Sequence, residues 1–241
     1  MRDSGITRLY TDLVVTVLSE AHSQRRSCND TDADTNNIQR FIGQAMDVDL
    51  MMVESVEKLS RDIDVPTLDR IAEWMRSDAG RLIHKAELQS ADWSEDEFEK
   101  RQYALSNDSA WNEARQKLIR RVIDAAATVA FVTALHSETS ALVLQVSDCD
   151  ASEASRALLK ERIQKDRRDE SFYAVFLRNN IHMTAAMIFK DISDEDLESF
   201  IRHSQSAAGR AWRQSLLKTV RQVLDDRHAP IQQFLATSVS E

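Results

Sequence analysis

The sequence has 241 residues, of which 42% are hydrophobic and 29% are charged, so it can bury a core as one large domain or as two small ones. Its formal net charge of −9 disfavours a nucleic acid or an anionic membrane surface as the main partner. Four glycines and two prolines are far fewer than average, which favours long helices over turns and predicts an all-α fold.

The first third of the chain is predicted to hold two amphipathic helices separated by a polar loop. Apolar residues recur at helical spacing over residues 6–22 and again over residues 38–61, after which the chain stops before Pro66. Residues 23–37 are rich in Asn, Asp, Thr and Ser and predict a long loop that holds Cys28. The methionines at positions 46, 51 and 52 are interpreted as core packing, with an adaptable binding surface as the alternative.

A third helix is predicted over residues 65–89, because Pro66 is tolerated in a first turn and the apolar spacing continues beyond it. Ser94 and Glu97 then form a capping-box pattern. This pattern predicts a short helix that ends near Leu105.

The most apolar segment, residues 122–135, lies in a helix predicted to begin near Ser109. A helix that is apolar on nearly all sides is expected to be buried, so this one is predicted to be a central post for the fold. A dimer interface is the alternative. If the helix is a central post, Val122, Val129, Phe131 and Leu135 are expected to be almost fully buried.

The remaining sequence predicts a helix break at residues 147–150, a cap at residues 150–153 and a long helix over residues 151–190 with a kink at 166–169. The charge run of that helix alternates in sign, which indicates a solvated face rather than a ligand site. The last helix is predicted to run from Asp194 to near Arg227 and to stop before Pro230.

Two segments of the chain are similar to each other, residues 68–81 and residues 197–210. They share five of fourteen positions, including Ser-x-Ala-Gly-Arg around Gly80 and Gly209. We interpret the chain as one compact helical bundle of two related helical-hairpin halves around the central apolar helix. Residues 1–107 form the first half, and residues 108–241 form the central helix and the second half. Helices 40–61 and 65–89 are predicted to superpose on helices 172–190 and 194–216. Each glycine is expected to face a closely packed neighbour.

These two segments also resemble a known family. A hydroxyl or acidic residue that opens a helix, an acidic-Leu turn, a bulky apolar pair and Ser-x-x-Gly are similar to the core motif of the bacterial family called domain of unknown function 2059. The match covers about twenty residues in each half. Trp74-Met75 and His203-Ser204 replace the family's aromatic pair, and Asp78 and Ala207 replace its proline. The resemblance implies a small helical protein exported to the periplasm, and it transfers no catalytic residues.

The location predicted from the sequence depends on that resemblance. If it holds, Met1 replaces a removed signal peptide and the protein is periplasmic; otherwise it is cytoplasmic. No membrane span is predicted, because the longest charge-free apolar stretch has about eleven residues. Cys28 and Cys149 are expected to be two unpaired thiols, and one disulfide between them is the alternative in an exported protein.

Potential catalytic and metal-binding residues are scattered. The six histidines form no close pair, and the two cysteines lie far apart in the sequence. His84 with Glu87, and Asp225 with His228, have spacing that suits a metal on a helix, but such pairs arise readily in a charged chain. The acidic runs 95–97 and 194–196 are interpreted as first helical turns. The sequence therefore predicts no catalytic, cofactor-binding or metal-binding residue.

These observations favour a non-enzymatic helical interaction protein of the bacterial envelope that binds a protein partner or itself. One alternative is a carrier of a small apolar ligand held between the two halves. The residues that suggest it are Met46, Met52, Phe176, Met183, Met187 and Phe189. A second alternative is an enzyme with an unrecognised site.

Overall fold

A computed structural model describes residues 5–27, 32–90, 92–147, 157, 161 and 170–238. These residues form helices and short connections without a strand, which confirms the predicted all-α class. Eleven helices have defined bounds within the described ranges. They are α1 (Gly5–Ser27), α2 (Asp32–Ala45), α3 (Val48–Asp62), α4 (Val65–Arg76), α5 (Asp78–Ser90), α6 (Glu95–Ser106), α7 (Glu113–Ala126), α8 (Thr128–Ser147), α9 (Glu170–Ile188), α10 (Asp194–Gln205) and α11 (Ala207–Ser238).

The N-terminal helices differ from the prediction in their bounds. The predicted loop over residues 23–37 is wrong for most of its length, because α1 continues to Ser27 and α2 already begins at Asp32. The predicted helix over residues 38–61 is divided at Asp47, whose Oδ1 accepts a hydrogen bond from Leu50 N at 2.8 Å and so caps α3. The predicted capping box at Ser94 and Glu97 is confirmed, and it starts α6.

In the two segments with the Ser-x-x-Gly motif, the first helix has the same bounds and the second helix has the same start, at a constant offset of 129 residues. Both predicted single helices are wrong, because Ser77 and Ser206 adopt extended backbone conformations and end the first helix of each pair. Each serine Oγ accepts a hydrogen bond from the glycine N–H three residues later, at 3.1 Å for Gly80 and 3.0 Å for Gly209. Each motif is therefore a helix–serine–helix bend.

The glycines are close to the chain just before the bend. An ideal Cβ on Gly80 would lie 2.1 Å from the carbonyl oxygen of Trp74, and one on Gly209 would lie 2.3 Å from that of His203. Neither glycine has a positive φ, so close approach and not conformational freedom explains its presence. The neighbour expected from the sequence is thus the end of the preceding helix of the same motif, rather than a helix from another part of the chain.

The predicted central helix is also divided. Asn112 caps α7, and Ala127 adopts a left-handed conformation with φ of 51° between α7 and α8. Val122 is buried as expected, whereas Val129, Phe131 and Leu135 are half-buried, so the predicted burial is wrong at three of four positions. The apolar segment is therefore shared between two helices rather than lying in one.

The last helix is longer than predicted, because α11 continues through Pro230 to Ser238. The buried Ile231 and the stacking of Phe234 on Phe41, with ring centroids 3.9 Å apart, hold the residues that follow the proline. The predicted break and cap at residues 148–153, the kink at 166–169 and both cysteines lie outside the described residues.

The chain divides into two compact units. Unit 1 comprises Met1–Leu59, Ala134–Glu170 and Leu217–Glu241, and unit 2 comprises Ser60–Thr133 and Ser171–Leu216. Both are assembled from separate stretches of sequence, so the division does not follow the predicted boundary between residues 107 and 108. The arrangement of two halves around a central helix stays a prediction.

Unit 2 has a core in which helices distant in sequence pack together. Ile119, Val122, Leu197 and Ile201 are buried in it, and α7 packs against α10. The two motifs also meet within this unit, because the rings of Trp74 and His203 stack with centroids 4.6 Å apart. These two residues occupy equivalent positions of the motif.

One helix of the described residues, α8, is long and apolar enough to cross a membrane by length and composition, over Thr128–Val146. This is weak evidence for a span, because the core helix of a protein without a membrane segment meets the same criteria. A third of that window, 33%, is buried.

Candidate functional site: a buried polar cluster

Helices α1, α3, α8 and α11 bring polar side chains together in unit 1, most of them in its interior. We call this group the polar cluster. It consists of Tyr10, Glu54, Ser55, Glu138, Gln145, Asp225, Arg227 and His228. Burial of polar groups is costly unless they are hydrogen-bonded, so their partners define what the cluster can do.

The first part of the polar cluster joins α1 to α3. The hydroxyl oxygens of Tyr10 and Ser55 lie 2.8 Å apart, and Ser55 Oγ donates to the carbonyl oxygen of Met51 at 2.8 Å. Because that donation uses the one hydroxyl hydrogen of Ser55, Tyr10 is the donor in the bond between them. Both side chains are buried, and the chain of bonds leaves both hydroxyl groups paired.

The second part joins α3 to α11. Arg227 Nη2 and Glu54 Oε2 lie 2.6 Å apart, and the arginine side chain is almost completely buried. Lys58 and Asp226 pair one turn along the same two helices at 3.2 Å, with Asp226 largely exposed. The guanidinium charge of Arg227 is therefore compensated by Glu54.

The third part joins α8 to α11 through Gln145 and His228. Gln145 Nε2 donates to the main-chain oxygen of His228 at 2.8 Å, and this contact fixes the orientation of the amide. The amide oxygen of Gln145 consequently faces His228 Nδ1 at 2.8 Å. Since an amide oxygen only accepts, Nδ1 carries the hydrogen, and Nε2 is the basic nitrogen of the neutral ring.

Two carboxylates lie near the His228 ring. Glu138, on α8, is 4% exposed, and its Oε2 is 3.9 Å from Nε2 of His228. Asp225 precedes His228 by three residues on α11, so its side chain shares a face of the helix with it. One donor atom from each of Glu138, Asp225 and His228 lies within 4.8 Å of the others.

Burial of Tyr10 raises its pKa, mainly through loss of solvation, and the bond to Ser55 and the charge of Arg227 oppose this change. Because the pKa in the fold exceeds that of the unfolded chain, the stabilising effect is fully present below about pH 10 and is lost as the pH rises further. We expect the thermal midpoint of the protein to fall more steeply, as the pH rises above about 10, than that of Tyr10→Phe. Parallel slopes for the two proteins would contradict this.

Only part of this site can be recognised from the sequence. Asp225 and His228 have the spacing of a metal-compatible pair, but Glu138 comes from a distant helix. The other pair, His84 with Glu87 on α5, gains no third ligand among the described residues. The acidic runs 95–97 and 194–196 lie in the first turns of α6 and α10, as predicted.

The residues that suggested an apolar carrier are divided between the two units. Met46 and Met52 belong to unit 1, and Met183, Met187 and Phe189 belong to unit 2. The side chain of Phe176 lies outside the described residues. Met46 and Met51 are fully buried, which agrees with the interpretation of core packing.

Comparison with known proteins found no match: no family, no curated protein and no solved structure is significantly similar to this chain.

Proposed function

We propose that this chain is a non-enzymatic helical protein that acts by association, and that it binds a second copy of itself through an apolar face of α3. This face consists of Leu50, Val53 and Val56, which are 49%, 55% and 37% exposed. They lie three residues apart on the helix and so share one side of it. This exposure is the observation that carries the proposal.

The opposite side of α3 explains why these side chains are outward. Met51, Ser55 and Leu59, spaced by four residues, are the ones that α3 buries in the protein. A helix needs one apolar stripe for its own core, so a second stripe on the solvent side suggests a further contact. Burial of such side chains by a partner is favourable at about 25 cal/mol per Å² of apolar area.

Charge favours a second copy as the occupant. α3 carries Asp49 in its first turn and Arg61 in its last turn. Two copies of α3 that run antiparallel about a twofold axis would place unlike charges near each other at both ends. A single helix face buries less area than a standard stable interface, so we expect a dissociation constant in the range of about 1–100 μM.

Location in the bacterial envelope belongs to the same proposal and rests on the family resemblance of residues 68–81 and 197–210. The association itself does not depend on that location.

The test is the oligomeric state. Val53→Glu places a charge in the centre of the apolar face and is expected to raise the dissociation constant of the dimer at least about tenfold, measured by sedimentation equilibrium. Val15→Glu is the matched control, because Val15 is equally exposed, at 60%, but lies on α1. It is expected to leave the dimer unchanged.

Either of two results would reject self-association through α3: a monomer at every concentration, or a dimer that is insensitive to Val53→Glu. Native mass spectrometry then separates the remaining alternatives. A bound small molecule would favour the carrier.

A further inference from the structure

We infer that Glu138, Asp225 and His228 bind a divalent first-row transition-metal ion in unit 1. One nitrogen and two carboxylate oxygens converge there, from α8 and α11. An ion of this kind takes ligands of these two types together, whereas Mg²⁺ and Ca²⁺ prefer oxygen alone. The inference does not depend on the proposed association through α3.

The state of His228 is the first support for this assignment. Gln145 holds the hydrogen on Nδ1, so in the neutral ring Nε2 presents its lone pair on the side of Glu138. Histidines that bind metals usually donate their other ring N–H to an oxygen in this way, which fixes the tautomer and the ring orientation. Gln145 is thus a positioning residue for the metal ligand.

The distances are the second support. A tetrahedral ion with bonds of about 2.0–2.2 Å needs donor atoms about 3.3–3.6 Å apart. Nε2 of His228 and Oε2 of Glu138 are 3.9 Å apart, and all three donor atoms lie within 4.8 Å of one another. The separation of Nε2 and Oε2 is only a few tenths of an ångström longer than this range. The third ligand, Asp225, is exposed, so its side chain is not fixed by surrounding core residues.

Burial and charge are the third support. Glu138 is a buried carboxylate, and a bound cation adds favourable charge compensation to the contacts that Glu138 makes within the protein. Exposed Asp225 provides the route by which an ion enters, and three protein ligands leave a coordination position for water.

The experiment uses the full chain without a polyhistidine tag, treated with a chelator and titrated with Zn²⁺ by calorimetry. We expect one ion per chain with a dissociation constant of about 10 μM or tighter, and binding of Mg²⁺ at least about tenfold weaker. A rise of the thermal midpoint with Zn²⁺ is the second readout, because a bound ion that links α8 to α11 stabilises the folded state.

The variants assign the ion to these residues. Asp225→Asn is expected to weaken Zn²⁺ binding at least about tenfold, and Gln145→Leu about 10–100-fold. Asp226→Asn is the matched control, since it removes the adjacent carboxylate, which pairs with Lys58. It is expected to leave the affinity unchanged.

His228→Gln is expected to abolish the site. Asp225→Asn keeps the test valid if His228→Gln fails to fold, because Asp225 is exposed. Absence of saturable binding up to about 1 mM Zn²⁺ overturns the assignment. So does a one-to-one isotherm that Asp225→Asn leaves unchanged, because the ion then binds elsewhere.

Discussion

Gly80→Ala and Gly209→Ala are each expected to lower the free energy of unfolding by about 2–4 kcal/mol, measured by urea denaturation. The added Cβ would lie within 2.1 Å of Trp74 O in the first case and 2.3 Å of His203 O in the second. These are main-chain atoms of the preceding helix end, so no side-chain rotation relieves the overlap. The bend itself must open, and it then loses its tight packing.

Gly43→Ala is the matched control for this experiment. Gly43 lies within α2, and nothing lies within 4 Å of an ideal Cβ there. Alanine in a helix interior is favoured over glycine, so this variant is expected to be more stable by about 0.5–1 kcal/mol. Equal effects of alanine at all three glycines would mean that the bends do not require close approach.

Arg115→Ala is expected to lower the free energy of unfolding by about 3–5 kcal/mol. The side chain of Arg115 is 13% exposed and pairs with Asp194 at the start of α10. Its Nη2 donates to the carbonyl oxygens of Phe189 and Ile192, at 2.7 and 2.6 Å, in the connection between α9 and α10. Removal of the guanidinium leaves two carbonyl groups without this donor in the interior of unit 2. Lysine cannot replace the planar fork, so Arg115→Lys is expected to recover only part of the loss.

Arg121→Ala provides the comparison on the same helix. Arg121 also pairs across to α10, with Glu198, but its side chain is 55% exposed and it contacts no main-chain oxygen in that pair. Exposed ion pairs contribute little to stability, so the denaturation midpoint is expected to be nearly unchanged. If the two alanine variants lose equal stability, the carbonyl contacts of Arg115 do not account for its contribution to the free energy of unfolding.

The helical class and several helix starts could be predicted from the sequence, because composition, apolar spacing and caps act locally. Ser94 with Glu97 is an example, since a capping box needs only four residues. The bends at Ser77 and Ser206 could not be predicted by apolar spacing, which continues through them. The better signal was the serine three residues before each glycine, because a hydroxyl group that caps a new helix competes with continuation of the old one.

The polar cluster was harder to predict because its members come from four helices. Nothing in the sequence near Asp225 and His228 indicates that Glu138 lies beside them. The available signal was Glu138 itself, a lone carboxylate within the apolar stretch Thr128–Val146. A charged side chain in an apolar helix needs a compensating partner when it is buried. The sequence shows that such a partner is required, but only the fold shows which residues provide it.

The stacking of Trp74 on His203 has a consequence for how the chain is synthesised and folds. The contact closes a loop of 129 residues, and the entropic cost of closing such a loop is about 4 kcal/mol before any contact compensates it. Local helices form first. Unit 2 can be completed only after the segment Ser171–Leu216 has left the ribosome, and unit 1 only after Leu217–Glu241 has done so. The apolar surfaces of both units therefore stay exposed through most of translation. The two cores of such a nascent chain can pack only late in synthesis. Until then, molecular chaperones can bind its exposed apolar surfaces.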